Sequence, residues 1–295
     1  MITTDYKQVT KKERTLDIIK KVLIYFFLVF SSLIVVFPFY YMILTSLKSF
    51  NTFTAEARPS LFTLKPDFSN YLYVFQETTI FRFVFNTFIY STISTLLMVV
   101  TCILAAFAFA RLSFKGRDLL FTLFLSLMII PNELVIITNY VTIVDVPFIH
   151  ADLRNTFIGL VAPSIMSIFY IYLLRQNFMQ IPDEYYFASK VDGTSDFKYL
   201  WKVMIPLARP TIVSITILKL IECWNAYVWP RLIATEKSHY LISNAIQKIK
   251  EEGFGRENIP AMMAAVVIVS LPILIIYIIF RKQIMTGVSR SGLKG

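Results

Sequence analysis

Charged and amide side chains inside long apolar runs are the residues of this sequence best placed to do chemistry. Lys219 and Glu222 lie three positions apart in such a run, so on a helix they share one face. Asn132 and Glu133 follow Pro131 inside another run. A charged group in hydrocarbon is costly unless it faces protein or water. These side chains are therefore predicted to point inward. They either line a polar pathway or, in the case of Lys219 and Glu222, only neutralise each other.

Aromatic and amide side chains around Trp224 suggest a site for a polar ligand. The segment WNAYVWP brings Trp224, Asn225, Tyr227 and Trp229 close together in the sequence. Aromatic faces stack on the apolar faces of sugar rings while amides bind hydroxyl groups, so the combination suits a carbohydrate. An aromatic belt at a membrane surface has the same composition. The candidate substrate pathway consists of Asn132, Glu133, Asn139, Tyr140, Glu222, Trp224, Asn225 and Trp229.

Motifs for nucleotide hydrolysis and metal catalysis are absent from the sequence. It contains neither GxxxxGK[ST] nor HExxH, and its two cysteines, Cys102 and Cys223, lie in apolar runs without the spacing of a zinc site. We therefore expect no ATPase site, no metal and no cofactor in this chain. A membrane enzyme with Glu133 and Glu222 as acid and base is an alternative. It lacks a recognisable nucleophile or metal site.

Composition places the chain in a membrane. Hydrophobic residues make up 56% of the sequence and charged residues only 16%, and several apolar runs are long enough for a helix of about 20 residues to cross the bilayer. The expected fold class is therefore an all-α membrane protein with six transmembrane helices. These spans are expected at residues 22–47, 83–110, 119–144, 156–174, 211–233 and 261–280.

Basic residues predict the orientation of these spans. With a cytoplasmic N-terminus, the inside segments hold 18 Lys and Arg and the outside segments hold 10. Both termini are therefore expected in the cytoplasm, as a segment 1–21 and a tail 282–295 that flank a membrane domain 22–281. Attraction of the inside segments to anionic lipids explains the net charge of +10 without a nucleic-acid partner.

Residues 182–210 form a polar island between apolar runs, and we refer to them below as the island. The island carries more aromatic surface than an ordinary connecting loop, which indicates that something covers it. Two short helices are expected around Gly193. Pro182 suits the start of the first helix, Thr194 or Ser195 can cap the second, and Pro206 is expected to stop it.

The first island helix is expected to dock on another protein. It can present Tyr185, Ala188 and Ser189 on one side, where the small residues permit close approach to a groove. The alternative is an amphipathic pair of helices that lies on the lipid surface, since tyrosine and lysine also favour that location.

The chain resembles the permease subunits of carbohydrate-importing ABC transporters, of the type of the smaller membrane subunit of the maltose importer. The island is similar to the EAA loop of that family, with Phe187, Ala188 and Ser189 at the triplet, then Asp192 and Gly193, and a final Ile205 and Pro206. Phe187 replaces the family's glutamate, and Asp183 or Glu184 could take over part of its contact. The stretches MIIPNELVII, WNAYVWP and the terminal GLKG are also similar to family stretches.

The resemblance implies a type I ABC importer permease fold in the inner membrane of a bacterial or archaeal cell. It implies four kinds of partner: a second homologous permease, a dimer of ATPase subunits that bind ATP and Mg²⁺, an extracellular solute-binding protein and a carbohydrate substrate, all in a lipid membrane. An ABC permease for a peptide or an osmolyte is the alternative within transport. The residues implied to couple to the ATPase are Glu184, Tyr185, Phe187, Ala188, Ser189, Asp192, Gly193 and Pro206.

Overall fold

The computed structural model describes residues 11–58, 60–77, 79–148, 150–244 and 258–292. The side chains of residues 11–15, 77, 132, 133 and 284–292 lie outside this description. Within the described ranges the chain is helical, with no strand beyond an isolated bridge between Val146 and Ala151. The α-helices are α1 (Lys11–Ser46), α2 (Phe50–Ala55), α3 (Ser69–Glu77), α4 (Ile80–Arg111), α5 (Arg117–Leu127), α6 (Asn132–Val144), α7 (Phe157–Val161), α8 (Ile168–Met179), α9 (Asp183–Val191), α10 (Asp196–Tyr199), α11 (Ile205–Leu207), α12 (Arg209–Trp224), α13 (Val228–Ile233) and α14 (Ile259–Gly292).

Helix α4 lies at the centre of the fold. It packs against α8 and α12, while α14 packs on α12 and α1 lies along α14. The α4 side chains of Met98, Cys102 and Phe107 are buried in the largest apolar cluster, together with residues of α8 and α12. Most apolar side chains of α1 are exposed, as suits a helix surrounded by lipid.

Three described helical segments are long and apolar enough to cross a bilayer. They are Leu16–Ser46, Ile80–Arg111 and Ile259–Gln283, which coincide with the expected first, second and sixth spans. Two bent helix pairs, Phe157–Ser164 with Ile168–Met179 and Asp196–Leu207 with Arg209–Trp224, raise the number of candidate spans to as many as five. The count of six therefore stays a prediction.

The expected third and fifth spans are each interrupted. Helix α5 ends at Leu127 and α6 begins after Pro131, because proline has no N–H to donate and holds the preceding residue out of the helical conformation. In the fifth expected span, α12 ends at Trp224 and α13 begins at Val228. These breaks leave non-helical backbone that lines the cavity described below.

A polar clamp fixes the chain that follows α1. The ammonium of Lys48 is fully buried and donates to Glu56 Oε2 at 2.9 Å and to Ser60 Oγ at 2.8 Å. Asn70 donates to the backbone oxygens of Ser46 and Lys48 at 2.9 and 2.8 Å. Hydrogen bonds from Ser60, followed by those from Lys48, lower the pKa of Glu56 to about 2. The clamp thus holds residues 46–70 against the end of α1.

We predict that Glu56→Gln destabilises the protein by about 3 kcal/mol, because Lys48 then keeps a buried charge without its partner. The folded pKa of Glu56 lies below its ordinary value of 4.5, so its contribution to the free energy of unfolding is complete above about pH 4.5 and decreases as the pH falls toward 2. Thermal unfolding in detergent checks this at pH 7 and pH 3. The difference in unfolding temperature between the wild type and the variant should be smaller at pH 3 than at pH 7.

The double variant Lys48→Met/Glu56→Gln is the control for this prediction. It removes both charges, so it should recover part of the lost stability. A single variant as stable as the wild type at pH 7 would show that the clamp contributes nothing.

Candidate functional site

A cavity of about 640 Å³ opens beside the break between α5 and α6. Its wall comes from the Leu127–Pro131 connection, α6, the residues around Pro163 that lead into α8, the stretch from the end of α12 into α13, and Tyr90 on α4. Proline at positions 131 and 163 interrupts helices here, so the wall contains backbone that is not engaged in a regular helix. The cavity therefore combines side-chain and backbone groups that could bind a solute.

Lys219 and Glu222 form the ion pair that was one of two alternatives left open by the sequence, and both line this cavity. Lys219 Nζ lies 2.8 Å from Glu222 Oε1. The two partners differ in exposure: the Lys219 side chain is 6% exposed, and that of Glu222 is 57% exposed. The hydroxyl of Tyr170 donates to the second carboxylate oxygen of Glu222 in a long hydrogen bond of 3.4 Å. The pair is thus anchored in the protein while its carboxylate faces the cavity.

Three residues of the predicted pathway meet at the cavity wall. These are Asn139, Glu222 and Trp229. The indole N–H of Trp229 donates to the backbone oxygen of Leu160 at 3.1 Å, which fixes the orientation of the ring.

The other predicted pathway residues do not line this cavity within the described structure. Trp224 is buried in an apolar cluster with residues of α14, and Tyr140 packs against a second cluster. Asn225 donates to the backbone oxygen of Ile221 at 3.0 Å and so closes the end of α12. The side chains of Asn132 and Glu133 lie outside the described residues.

Sequence reasoning missed several polar residues of the cavity. Tyr90, Ser164 and Ser167 line it, and Tyr170 reaches it through Glu222. The hydroxyls of Tyr90 and Ser164 lie 3.4 Å apart. Hydroxyl residues are common in apolar runs because they can bond to the backbone of their own helix. Their positions alone therefore gave no signal, and the packing of α4 against the segment before α8 brings them together.

The island folds as two helical segments around Gly193, as predicted. Helix α9 begins after Pro182, and Gly193 adopts a left-handed φ of 68°. Ser195 caps the second segment by accepting from the backbone N–H of Lys198.

The prediction that Pro206 stops the second island segment is wrong, because the segment continues through a π-helical stretch, Leu200–Met204, and α11 to Leu207. Pro206 lies just after the π-helical stretch, one residue before the end of the segment at Leu207. The chain then turns by 80° into α12.

Asp196 braces the two island segments against each other. Its Oδ1 accepts from the Tyr186 hydroxyl and from the Lys190 ammonium, each at 2.7 Å. The bond from Lys190, followed by that from Tyr186, lowers the pKa of Asp196, and the same bond raises the pKa of Lys190. Burial, assisted by Asp196, raises the pKa of Tyr186. The brace therefore couples α9 to the segment that leads into α12.

Arg111 connects the island to the end of α4. Its guanidinium contacts Asp183 Oδ1 at 2.6 Å and the backbone oxygen of Phe178 at 2.9 Å, and it also donates to the backbone oxygen of Ile181. Tyr199 is fully buried and packs its ring on Phe107 of α4 at 6.4 Å. Both ends of the island thus contact the central helix.

The outer face of the island carries exposed apolar side chains. Phe187 is 64% exposed and Val191 is 88% exposed, and Tyr185 is also exposed on α9. Ala188, Glu184, Asp192 and Pro206 are exposed as well. Ser189 is buried and donates to the backbone oxygen of Tyr186, so the expectation that it shares an exposed side with Tyr185 and Ala188 is wrong. The backbone N–H of Thr194 donates to the backbone oxygen of Ser189 and so closes the turn at Gly193.

We predict that Tyr186→Phe loosens the island, because it removes one of the two hydrogen bonds to Asp196, worth about 1 kcal/mol. Cleavage by a protease within the island should be about fivefold faster. The matched control is Tyr185→Phe, which alters an exposed tyrosine of the same helix and should leave the rate unchanged. Equal rates for the two variants would argue against the brace.

Comparison with known sequences places this architecture among transport proteins. Residues 98–290 match the family model described as "Binding-protein-dependent transport system inner membrane component". The chain is 25% identical over 271 residues to the arabinooligosaccharides transport system permease protein AraQ of Bacillus subtilis (strain 168), an alignment that covers 91% of this chain and 94% of the relative.

Solved structures share the fold. The chain matches a bacterial ABC transporter involved in the import of the acidic polysaccharide alginate with a TM-score of 0.79 and 23% identity, over 92% of this chain and 98% of that one. A second structure, the alginate transporter in complex with its alginate pentasaccharide-bound periplasmic protein, matches with a TM-score of 0.61 and 17% identity, over 92% and 99% of the two chains. The family match covers more than half of the sequence and includes α8, the island and α12. This chain therefore belongs to the family of binding-protein-dependent transport system inner membrane components.

Proposed function

We propose that the chain is the permease subunit of an ATP-driven importer of sugars or oligosaccharides. The observation that carries the proposal is the cavity, which presents a carboxylate, hydroxyls and aromatic rings in the middle of a transport-family fold. Such a wall suits a hydroxylated solute, since hydroxyls can donate to Glu222 while aromatic faces contact the ring. The likeness to AraQ over nearly the whole chain supports a carbohydrate substrate.

In this proposal the chain crosses a bacterial inner membrane six times, with both termini in the cytoplasm. The three long helices supply the first, second and sixth spans. The broken runs α5 with α6, α7 with α8, and α12 with α13 supply the others. Irregular backbone inside a membrane is tolerated where it lines a cavity, as it does between α5 and α6.

Four partners complete the proposed importer: a second homologous permease, two ATPase subunits that bind ATP and Mg²⁺, and an extracellular solute-binding protein. Helix α9 docks on an ATPase subunit through the exposed side chains of Tyr185 and Phe187. Movement of the ATPase pair then reaches α4 through Arg111 and reaches α12 through the brace at Asp196. A braced helix transmits a rigid-body displacement to packed helices, whereas a flexible loop would absorb it.

The test of this function is to tag the chain, express it with its genomic neighbours and extract it in mild detergent. A second permease and an ATPase should co-purify, and proteoliposomes that contain the complex should take up a labelled oligosaccharide when ATP and the binding protein are present. A complex that takes up peptides or osmolytes and no saccharide would disprove the carbohydrate assignment. Recovery of the chain alone, with its island open to protease, would disprove the docking role of α9.

We predict that Gly193→Val uncouples uptake from ATP hydrolysis. Apart from its chain neighbours, no described residue has an atom within 4 Å of the position that a Cβ would occupy, so the difficulty is the left-handed backbone. A β-branched residue adopts that backbone at a cost of about 1–3 kcal/mol. Saccharide taken up per ATP hydrolysed should fall about tenfold, with normal membrane insertion.

The control is Gly193→Asn, since asparagine tolerates the left-handed conformation. It should keep coupling close to that of the wild type. Full coupling in the valine variant would refute the role of this turn in transmission.

A further inference from the structure

We propose that the cavity selects a neutral, hydroxyl-rich saccharide and disfavours acidic ones, with Glu222 as the residue that determines this preference. The inference rests on the proposed function and specifies the substrate class of the same cavity. It follows from which member of the Lys219 and Glu222 pair a solute meets.

The ammonium of Lys219 is not available to an anionic solute. Its side chain is almost fully buried, and Nζ is engaged with Glu222 Oε1 at 2.8 Å. An anion would have to displace Glu222 to reach it, and this would separate an ion pair that is partly removed from water. Lys219 therefore orients and holds the carboxylate of Glu222 and does not present a positive charge to the cavity.

The carboxylate of Glu222 is the charge that a solute meets. More than half of its side chain is exposed, and it lines the cavity wall. An ionised carboxylate only accepts hydrogen bonds, so it favours hydroxyl groups and repels a second carboxylate, sulfonate or phosphate. Tyr170 donates to Oε2 in a long bond, which leaves that oxygen with further capacity to accept from a solute.

The rest of the described wall adds no positive charge. Among the described residues that line the cavity, Lys219 and Glu222 are the charged ones. The neighbouring polar groups are the hydroxyls of Tyr90, Ser164 and Ser167 and the amide of Asn139, which suit neutral donors and acceptors. The arrangement lacks the exposed arginine or lysine that recognition of an acidic sugar requires.

Family membership leaves this preference open. The chain is similar both to a permease named for arabinooligosaccharides and to an importer of an acidic polysaccharide. The charge at the cavity is a property of this chain, and it favours the neutral class.

The experiment measures binding to the assembled complex of permeases and ATPase in lipid nanodiscs, without the binding protein. The probes are maltotetraose, cellotetraose and galactotetraose, each compared with the same saccharide after oxidation of its primary hydroxyls to carboxylates. Each pair differs only in charge and in the oxidised carbon. The neutral member should bind about tenfold more tightly than its oxidised counterpart, because a partly screened carboxylate repels the new charge.

Glu222→Gln should remove the preference for the neutral member and turn it toward the oxidised one, because Lys219 then keeps a positive charge beside the cavity without its partner. The affinity for neutral saccharides should stay within about threefold of the wild type, since the amide oxygen can still accept a hydroxyl. The double variant Lys219→Met/Glu222→Gln also removes the charge of Lys219, and it should bind the paired probes equally. The control is Asp145→Asn, which removes an exposed carboxylate of the α6–α7 connection outside the cavity and should leave the discrimination intact.

Preferential binding of the oxidised saccharides by the wild type would overturn the inference and leave carbohydrate import standing. Discrimination that persists in both Glu222 variants would also overturn it, since the charge would then lie elsewhere. A wild-type complex that binds neither class and takes up no saccharide with its binding protein would disprove the proposed function and, with it, this inference.

Discussion

The structure depends on one electrostatic constraint: a cation removed from water needs a partner within hydrogen-bonding distance. Three places in the fold satisfy it in the same way. Lys48, Arg111 and Lys219 are buried, and each pairs with an acid that is more exposed than itself. The buried cation is a fixed anchor in each case: Lys48 and Arg111 each hold an acid from another part of the chain, whereas Lys219 holds an acid of its own helix. The anchors sit at the end of α1, at the island and at the cavity.

Helix α4 links two of these anchors and so connects the cavity to the island. Tyr90 on α4 lines the cavity, and Arg111 at its end contacts the residues on both sides of the α8–α9 connection. Helix α12 provides a second connection, since it carries Lys219 and Glu222 at one end and is continuous with the braced island at the other. A displacement of α9 can therefore reach the cavity through two packed helices, α4 and α12. This geometry supports a transport subunit driven from the island.

The surface chemistry of the island and the shape of its backbone are set by different residues. Phe187 stands where the resembling family has a glutamate, and its side chain is largely exposed. Gly193 and Ser195 set the turn that follows α9, independently of the residue at position 187. An apolar surface of this kind calls for an apolar groove on the ATPase subunit that is proposed to cover it.

The sequence by itself determined those features that depend on local chemistry. Apolar run length predicted α1, α4 and α14, and proline and glycine predicted the start of α9 and the turn after it. Spacing placed Lys219 and Glu222 on one face of a helix and left their pairing as one of two alternatives. Tertiary structure alone decided which of the two partners faces the cavity, because burial depends on how α12 packs against α4 and α8. It also brought Tyr90 and Ser164 together and placed Trp224 in an apolar cluster, away from the cavity. Periodicity identifies residues that share a face of one helix, but only the packing of several helices determines what that face meets.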